Sequence, residues 1–283
     1  MIKTLIPTPL TNAMSVDVED YFQVAAFDDF ISPDEWDYLP HRVEKNTQKI
    51  LELFSKFDTK ATFFMLGWVA ERFPGLVTDI VAQGHEIASH GYAHKRATLQ
   101  TRDEFREDIT KAKKILEDIG GTEIKGYRAP SYSINHSNMW VHDELLKTGH
   151  QYSSSVYPVK HDLYGIPDAP RFKYILSNGL VEIPISTIKV LNKNLPAGGG
   201  GFFRFYPYSM SKWIIKQINK TEQQATIFYF HPWEVDPEQP KQSQASLKSK
   251  FRHYLNLSKT EDRLSRLLKD FEWDRMDKVF KIK

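Results

Sequence analysis

Cysteine is absent from all 283 residues, which excludes disulfides, thiolate metal ligands and a cysteine nucleophile. A surplus of one charge is missing too. The 38 basic residues stand against 36 acidic ones, a formal net charge of +2, too little for an electrostatic claim on nucleic acid. The Lys- and Arg-bearing segments carry interleaved acids and read as solvated helix faces. No apolar run approaches the roughly 18 residues of a membrane span. The N-terminal MIKTLIPTPLTNAMSV, broken by Pro7 and Pro9, lacks the continuous apolar stretch and cleavage site of a signal peptide. The expectation is a soluble, cytoplasmic protein with no nucleic-acid partner and no membrane span. The length suffices to bury a sizeable core.

What is present is an alternation of two periodicities. Strand-like runs fall at 13–18, 61–66, 85–89, 124–127, 151–156, 180–185 and 225–230. Helical patterns lie between them at 44–57, 74–83, 101–119, 137–148 and 209–220. The clearest helix has a capping-box pair, Thr101 and Glu104, apolar residues at helical spacing and Gly120 as its expected stop. A second capping pair, Ser258 with Glu261, predicts a helix running to about 271. Such alternation predicts parallel βαβ units and an α/β sheet that curls through right-handed crossovers. The glycine- and aromatic-rich stretch 192–208 (NKNLPAGGGGFFRFYPY) reads as a long inserted loop. Its GGGG lacks the Lys-Ser/Thr of a phosphate loop, so a flexible or close-packed loop is expected.

Chemistry-bearing residues collect just after the strands. AMSV leads into Asp17, Glu19 and Asp20; HEIAS into His90 and His94; IKGY into Arg128; ATIFYF into His231. In parallel α/β folds the functional face is the C-terminal edge of the strands. Taken singly, each has a plain structural explanation: surface histidines, a surface ion pair, a ring packed on Trp233, a solvated acidic turn. HxxxH without the Glu of HExxH is a weak signal. Four such residues or clusters at four strand ends point instead to one site. Two imidazoles and a carboxylate suit a catalytic zinc-type ion. A second carboxylate is then left as a general base, with Arg128 to orient it. An unligated histidine, expected to titrate near neutrality, suits a general acid.

Together SVDVED, SHGYAH, GYRAPSY and FYFHPWE resemble the first, second, third and fifth motifs of the polysaccharide deacetylase (NodB-homology) family, carbohydrate esterase family four. SSSVYPVKHDLYGIPDAPR and YFHPWEVDPEQP resemble stretches of a subgroup associated with exopolysaccharide biosynthesis loci. The resemblance implies a single domain over 1–283 with a C-terminal extension at about 235–283, folded as a distorted (β/α)7-type barrel. It implies a metal-dependent hydrolase that removes N-acetyl groups from an amino-sugar polysaccharide, using zinc or another divalent ion such as cobalt or nickel. Position by position, Asp17 matches the catalytic base, His90 and His94 the metal pair, Arg128 the arginine tethering the base, and His231 the catalytic acid. Ser131 supplies its amide to the oxyanion, with Tyr132 beside it. The first motif departs from the family's adjacent aspartates. Strand alternation puts Glu19 on the side of Asp17, so Glu19 is the first choice for the metal and Asp20 the second. Gly91 stands where a hydroxyl residue is usual, so Ser89 is expected to supply that hydroxyl. The rival readings are a small-amide hydrolase on the same barrel and a sugar-binding homologue without activity.

Overall fold

A computed structural model describes residues 10–161 and 164–283. The signal-peptide reading of the first nine residues therefore lies outside the described residues. The strands are β1 (Asn12–Val18), β2 (Thr62–Met65), β3 (Glu86–Ser89), β4 (Gly126–Tyr127), β5 (Tyr152–Ser153), β6 (Tyr174–Ile175), β7 (Val181–Glu182), β8 (Thr187–Val190), β9 (Lys193–Pro196), β10 (Ile227–Phe230) and β11 (Trp273–Asp274). The helices are α1 (Val43–Lys56), α2 (Gly67–Arg72), α3 (Pro74–Ala82), α4 (Arg102–Gly120), α5 (Val141–Lys147), α6 (Gly200–Phe205), α7 (Tyr208–Thr221), α8 (Leu247–Tyr254), α9 (Thr260–Asp270) and α10 (Met276–Val279). All seven expected strand positions carry strands. Among the described residues no helix is long and apolar enough to cross a membrane.

The main sheet runs β10-β1-β2-β3-β4-β5-β7-β6, parallel except for the β6–β7 pair, with β11 also on β1. Past β7 the chain closes the curl. Ile185 donates to Val156 O and Ala197 to Ser186 O, and Tyr229 N donates to Gly198 O at 2.7 Å. The result is a distorted (β/α)7-type barrel in which β4 to β7 are only two residues long.

Side-chain alternation divides the barrel in two. Met14, Val16, Val18, Phe63, Met65, Phe228 and Phe230 pack outward in one cluster with α1, α2, α3 and α9. Ala13, Phe64, Ala88, Tyr152, Ile227, Tyr229 and Met276 form another inside. Inward positions therefore share a parity along each strand: 13, 15 and 17; 86, 88 and 90; 227, 229 and 231. Asp17, His90 and His231 are the last inward positions of their strands.

Several local expectations are corrected. Stretch 192–208 is not a loop: it holds β9, the barrel-closing residues 197–199 and α6. Its glycines serve close packing, since a Cβ on Gly199 (φ 120°) would sit 2.1 Å from Tyr229 O. The Thr101–Glu104 capping box forms, but α4 runs through Gly120 and stops at left-handed Gly121 (φ 59°). Ser258 does not cap α9. It lies in a 3-10 turn, and the helix begins at Thr260.

The C-terminal α10 plugs the opposite end of the barrel from the strand ends. Met276 N donates to Thr62 Oγ1 at 2.7 Å, and Asp277 N to Glu86 Oε2 at 3.2 Å. Glu86 also accepts from Tyr152 OH at 3.0 Å. Burial, reinforced by the Asp277 carboxylate, pushes Glu86 up to about 7. An acid raised on folding stabilises below its unfolded pKa, and that contribution fades as pH climbs through the folded one. Between about pH 4.5 and 7, stability is therefore expected to fall through this group. Glu86→Gln should flatten that slope and raise the thermal midpoint at pH 8. Melts of both proteins from pH 5 to 8 check this, and parallel slopes would refute it.

Candidate active site

Arg128 emerges from β4 into the barrel interior with no exposed surface. Its Nη1 donates to Asp17 Oδ1 at 2.5 Å and Ser15 Oγ at 2.9 Å. Ser154 accepts from Nε and Nη2 through its carbonyl and hydroxyl. The guanidinium lies 4.0 Å from the centre of the Phe64 ring. Asp17 is thus held by a fixed cation, while its Oδ2 lies 3.4 Å from Tyr132 OH and 3.9 Å from His231 Nε2. Ser131 and Tyr132 both take left-handed backbone (φ 53°), a conformation concentrated at functional sites.

Beside this pair, Glu19, His90 and His94 bring one ligand atom each to within 4.8 Å of one another, and all three are buried. The details fit a metal. His90 Nδ1 donates to Arg128 O at 2.8 Å, which leaves Nε2 with a free lone pair. Burial lowers His90 to about 4 despite the nearby carboxylates, so the ring is neutral, as a ligand must be. Glu19 Oε2 lies 2.7 Å from His94 Nε2, yet it is buried without a hydrogen bond of acceptable geometry. Such an orphaned pair is costly unless a cation receives it. Glu19 Oε1 is oriented by Trp233 Nε1 at 3.2 Å. Burial alone would raise Glu19, but His94, His231 and His90 outweigh it and hold the carboxyl well below the usual range.

Asp20 is not part of this group. Its Oδ2 accepts the amides of Arg42 and Val43 at 2.7 and 3.0 Å, and its Oδ1 accepts that of Tyr21. Alternation turns it outward, where it caps the start of α1. The loop between the histidines is pinned by Asp108 Oδ2, which accepts from Tyr92 N at 3.0 Å. That carboxylate explains Gly91 (φ 77°), because a Cβ there would meet it at 2.7 Å. Ser89 Oγ accepts the Gly91 amide at 3.2 Å.

His231 points Nε2 toward Glu19 Oε1 at 3.7 Å, and its Nδ1 donates to Glu234 Oε1 at 2.7 Å. Burial would lower this histidine, but Glu19, Glu234 and Asp17 push it up to about 9. The expectation of titration near neutrality is corrected accordingly: three carboxylates face one ring. Glu234 was missed from sequence, although it stands three residues beyond His231. Arg204, whose Nε meets Glu234 Oε2 at 2.6 Å, was missed too. Its signal was the single charge in the run GGGGFFRFYPY.

This assembly of a tethered carboxylate, a histidine–carboxylate cluster and an inward histidine sits at the C-terminal strand edge of a parallel barrel. Residues 25–152 match the family described as polysaccharide deacetylase, and residues 154–281 match a domain of unknown function (DUF3473). Residues 25–152 are thus a polysaccharide deacetylase domain, joined to the DUF3473 region. The chain is 40% identical over 99 residues to a peptidoglycan-N-acetylglucosamine deacetylase of Bacillus cereus, covering 35% of this chain and 36% of that one. A peptidoglycan deacetylase of Helicobacter pylori is 32% identical over 113 residues, 40% of this chain and 38% of its own. The chain thus spans little more than a third of these curated relatives. The crystal structure of a candidate polysaccharide deacetylase from Mycobacterium smegmatis superposes with a TM-score of 0.59 at 18% identity, covering 97% of this chain and 94% of that one. At that identity the likeness concerns the fold.

The geometry separates Asp20 from the Glu19–His90–His94 group. His94→Ala should lose bound zinc after dialysis. Asp20→Ala should keep stoichiometric zinc and lose about 0.5–2 kcal/mol of stability, the span for a lost helix cap. Metal analysis beside thermal melts checks both, and zinc loss in Asp20→Ala would overturn the assignment.

Proposed function

We propose that the chain is a divalent-metal-dependent hydrolase removing N-acetyl groups from amino-sugar residues of a polysaccharide. The observation that carries this is the buried Glu19–His90–His94 set lying beside the Arg128-tethered Asp17. Two imidazoles and a carboxylate form a zinc-type donor set with positions left for other ligands. The curated relatives, named as peptidoglycan deacetylases, support an N-acetylated sugar polymer as substrate. The subgroup-like stretches SSSVYPVKHDLYGIPDAPR and YFHPWEVDPEQP favour an exopolysaccharide.

A bound divalent ion would polarise the acetyl carbonyl and an attacking water. Asp17, oriented by Arg128, accepts the proton of that water through the carboxylate whose Oδ2 faces His231. The Ser131 amide is the donor assigned to the developing oxyanion, a contribution of roughly 3 kcal/mol for one well-placed group. His231, its Nδ1 held by Glu234 Oε1, donates a proton from Nε2 to the departing sugar amine. Products are acetate and a free amino sugar.

Zinc-loaded protein should release acetate from N-acetylglucosamine oligomers. Asp17→Asn should retain zinc and lose on the order of 10²–10⁴ in kcat, the usual span for acid–base help. Cleavage of small amides with no acetate from any N-acetylhexosamine oligomer would overturn the reading in favour of a different hydrolase.

A further inference from the structure

Two buried arginines stand behind the site, and only Arg128 has a part in the reaction described above. Arg204 is 2% exposed and its partner Glu234 1%. Removing two charges from water costs more than the pair usually returns in stability, so its geometry calls for an explanation. Four of the five N–H groups of the guanidinium fork have acceptors. Nε donates to Glu234 Oε2 at 2.6 Å, Nη1 to the carbonyls of His253 and Leu255 at 2.7 and 2.9 Å, and Nη2 to that of Arg252 at 3.1 Å. Glu234 is thereby immobile, and its other oxygen accepts both the backbone amide and Nδ1 of His231.

The ring is held from its face as well. Trp233 stacks on His231 at 5.1 Å and 15°, and on its other side against His253 at 4.2 Å and 15°. His253 is fixed by Gln239 Oε1 at 2.7 Å, and Gln239 in turn donates to Trp233 O at 2.8 Å. Both the edge and the face of the imidazole are therefore referred to the backbone of residues 252–255.

We propose that Arg204, anchored on the carbonyls of 252–255, is a positioning residue that aims His231 at the leaving group through Glu234. This rests on the acetyl-hydrolase reading above. The C-terminal segment thereby takes part in proton delivery, because displacing the 252–255 carbonyls would misaim the donor while leaving His90, His94 and the Asp17–Arg128 pair in place. Misplacement by about 1 Å is enough to cost on the order of 10²-fold in rate.

The test compares leaving groups in the full-length, zinc-loaded protein. An N-acetylglucosamine oligomer expels an amine that needs a proton, whereas an aryl acetate expels a phenolate that does not. Arg204→Lys keeps the charge and loses the fork. Its kcat on the oligomer should fall roughly 10–100-fold, with KM, zinc content and aryl acetate turnover unchanged. Equal losses on both substrates, or no loss in a folded variant, overturn the proposal. If Arg204→Lys does not melt cooperatively, Glu234→Gln is read against the same two substrates, with the same outcome deciding. Wild-type protein that releases no acetate from the oligomer defeats the acetyl-hydrolase reading itself, and is seen before any variant is made.

Discussion

The Arg128 guanidinium is the constraint around which the barrel interior is arranged. A cation without water must be paired and fully hydrogen-bonded or it unfolds its surroundings. Asp17 and Ser15 of β1, Ser154 just beyond β5 and the face of Phe64 on β2 meet that demand together. Its carbonyl sets the tautomer of His90. One residue therefore ties Asp17 to His90, and a register slip of β1 or β4 would break both contacts at once. Met276 Sδ, 3.8 Å from Nη2, seals the guanidinium from the other end of the barrel.

The two family-matched segments meet in one site. The first, 25–152, contains His90, His94 and Arg128, and the second, 154–281, contains Arg204, His231 and Glu234. Asp17 and Glu19 precede both, on and just beyond the strand that pairs with β2 on one side and β10 on the other. Asp17 and Glu19 are thus brought to their partners by the pairing of β1 between the two halves. The region matched as a domain of unknown function completes the sheet through β7, residues 197–199 and β10.

Charge in the interior follows the same pattern. Each buried arginine faces a carboxylate that acts elsewhere in the site, Arg128 holding Asp17 and Arg204 holding Glu234. Arg204 and His231 together hold Glu234 down to about 2 despite its burial. Glu19 differs from both, because its Oε2 accepts no hydrogen bond of acceptable geometry and lies 2.7 Å from His94 Nε2, in a buried group with His90.

Much of this was legible because alternation along a strand is a local property. AMSVDVED, HEIASH and ATIFYFH carry their inward parity in the sequence, so the ends of β1, β3 and β10 and the choice of Glu19 ahead of Asp20 could be read directly. The Thr101–Glu104 box was legible for the same reason, since its partners lie three residues apart. What escaped depends on contacts between distant segments. Asp20 became a cap because Arg42 and Val43 arrive from 22 and 23 residues away. GGGGFFRF became a barrel edge and a helix because β10 lies against it. The pKa of His231 depends on Glu19, which is 212 residues earlier in the chain. Sequence by itself determined which residues reach the C-terminal edge of the barrel, through short-range periodicity. Only the tertiary structure decided which of them pair, because burial and charge act through space.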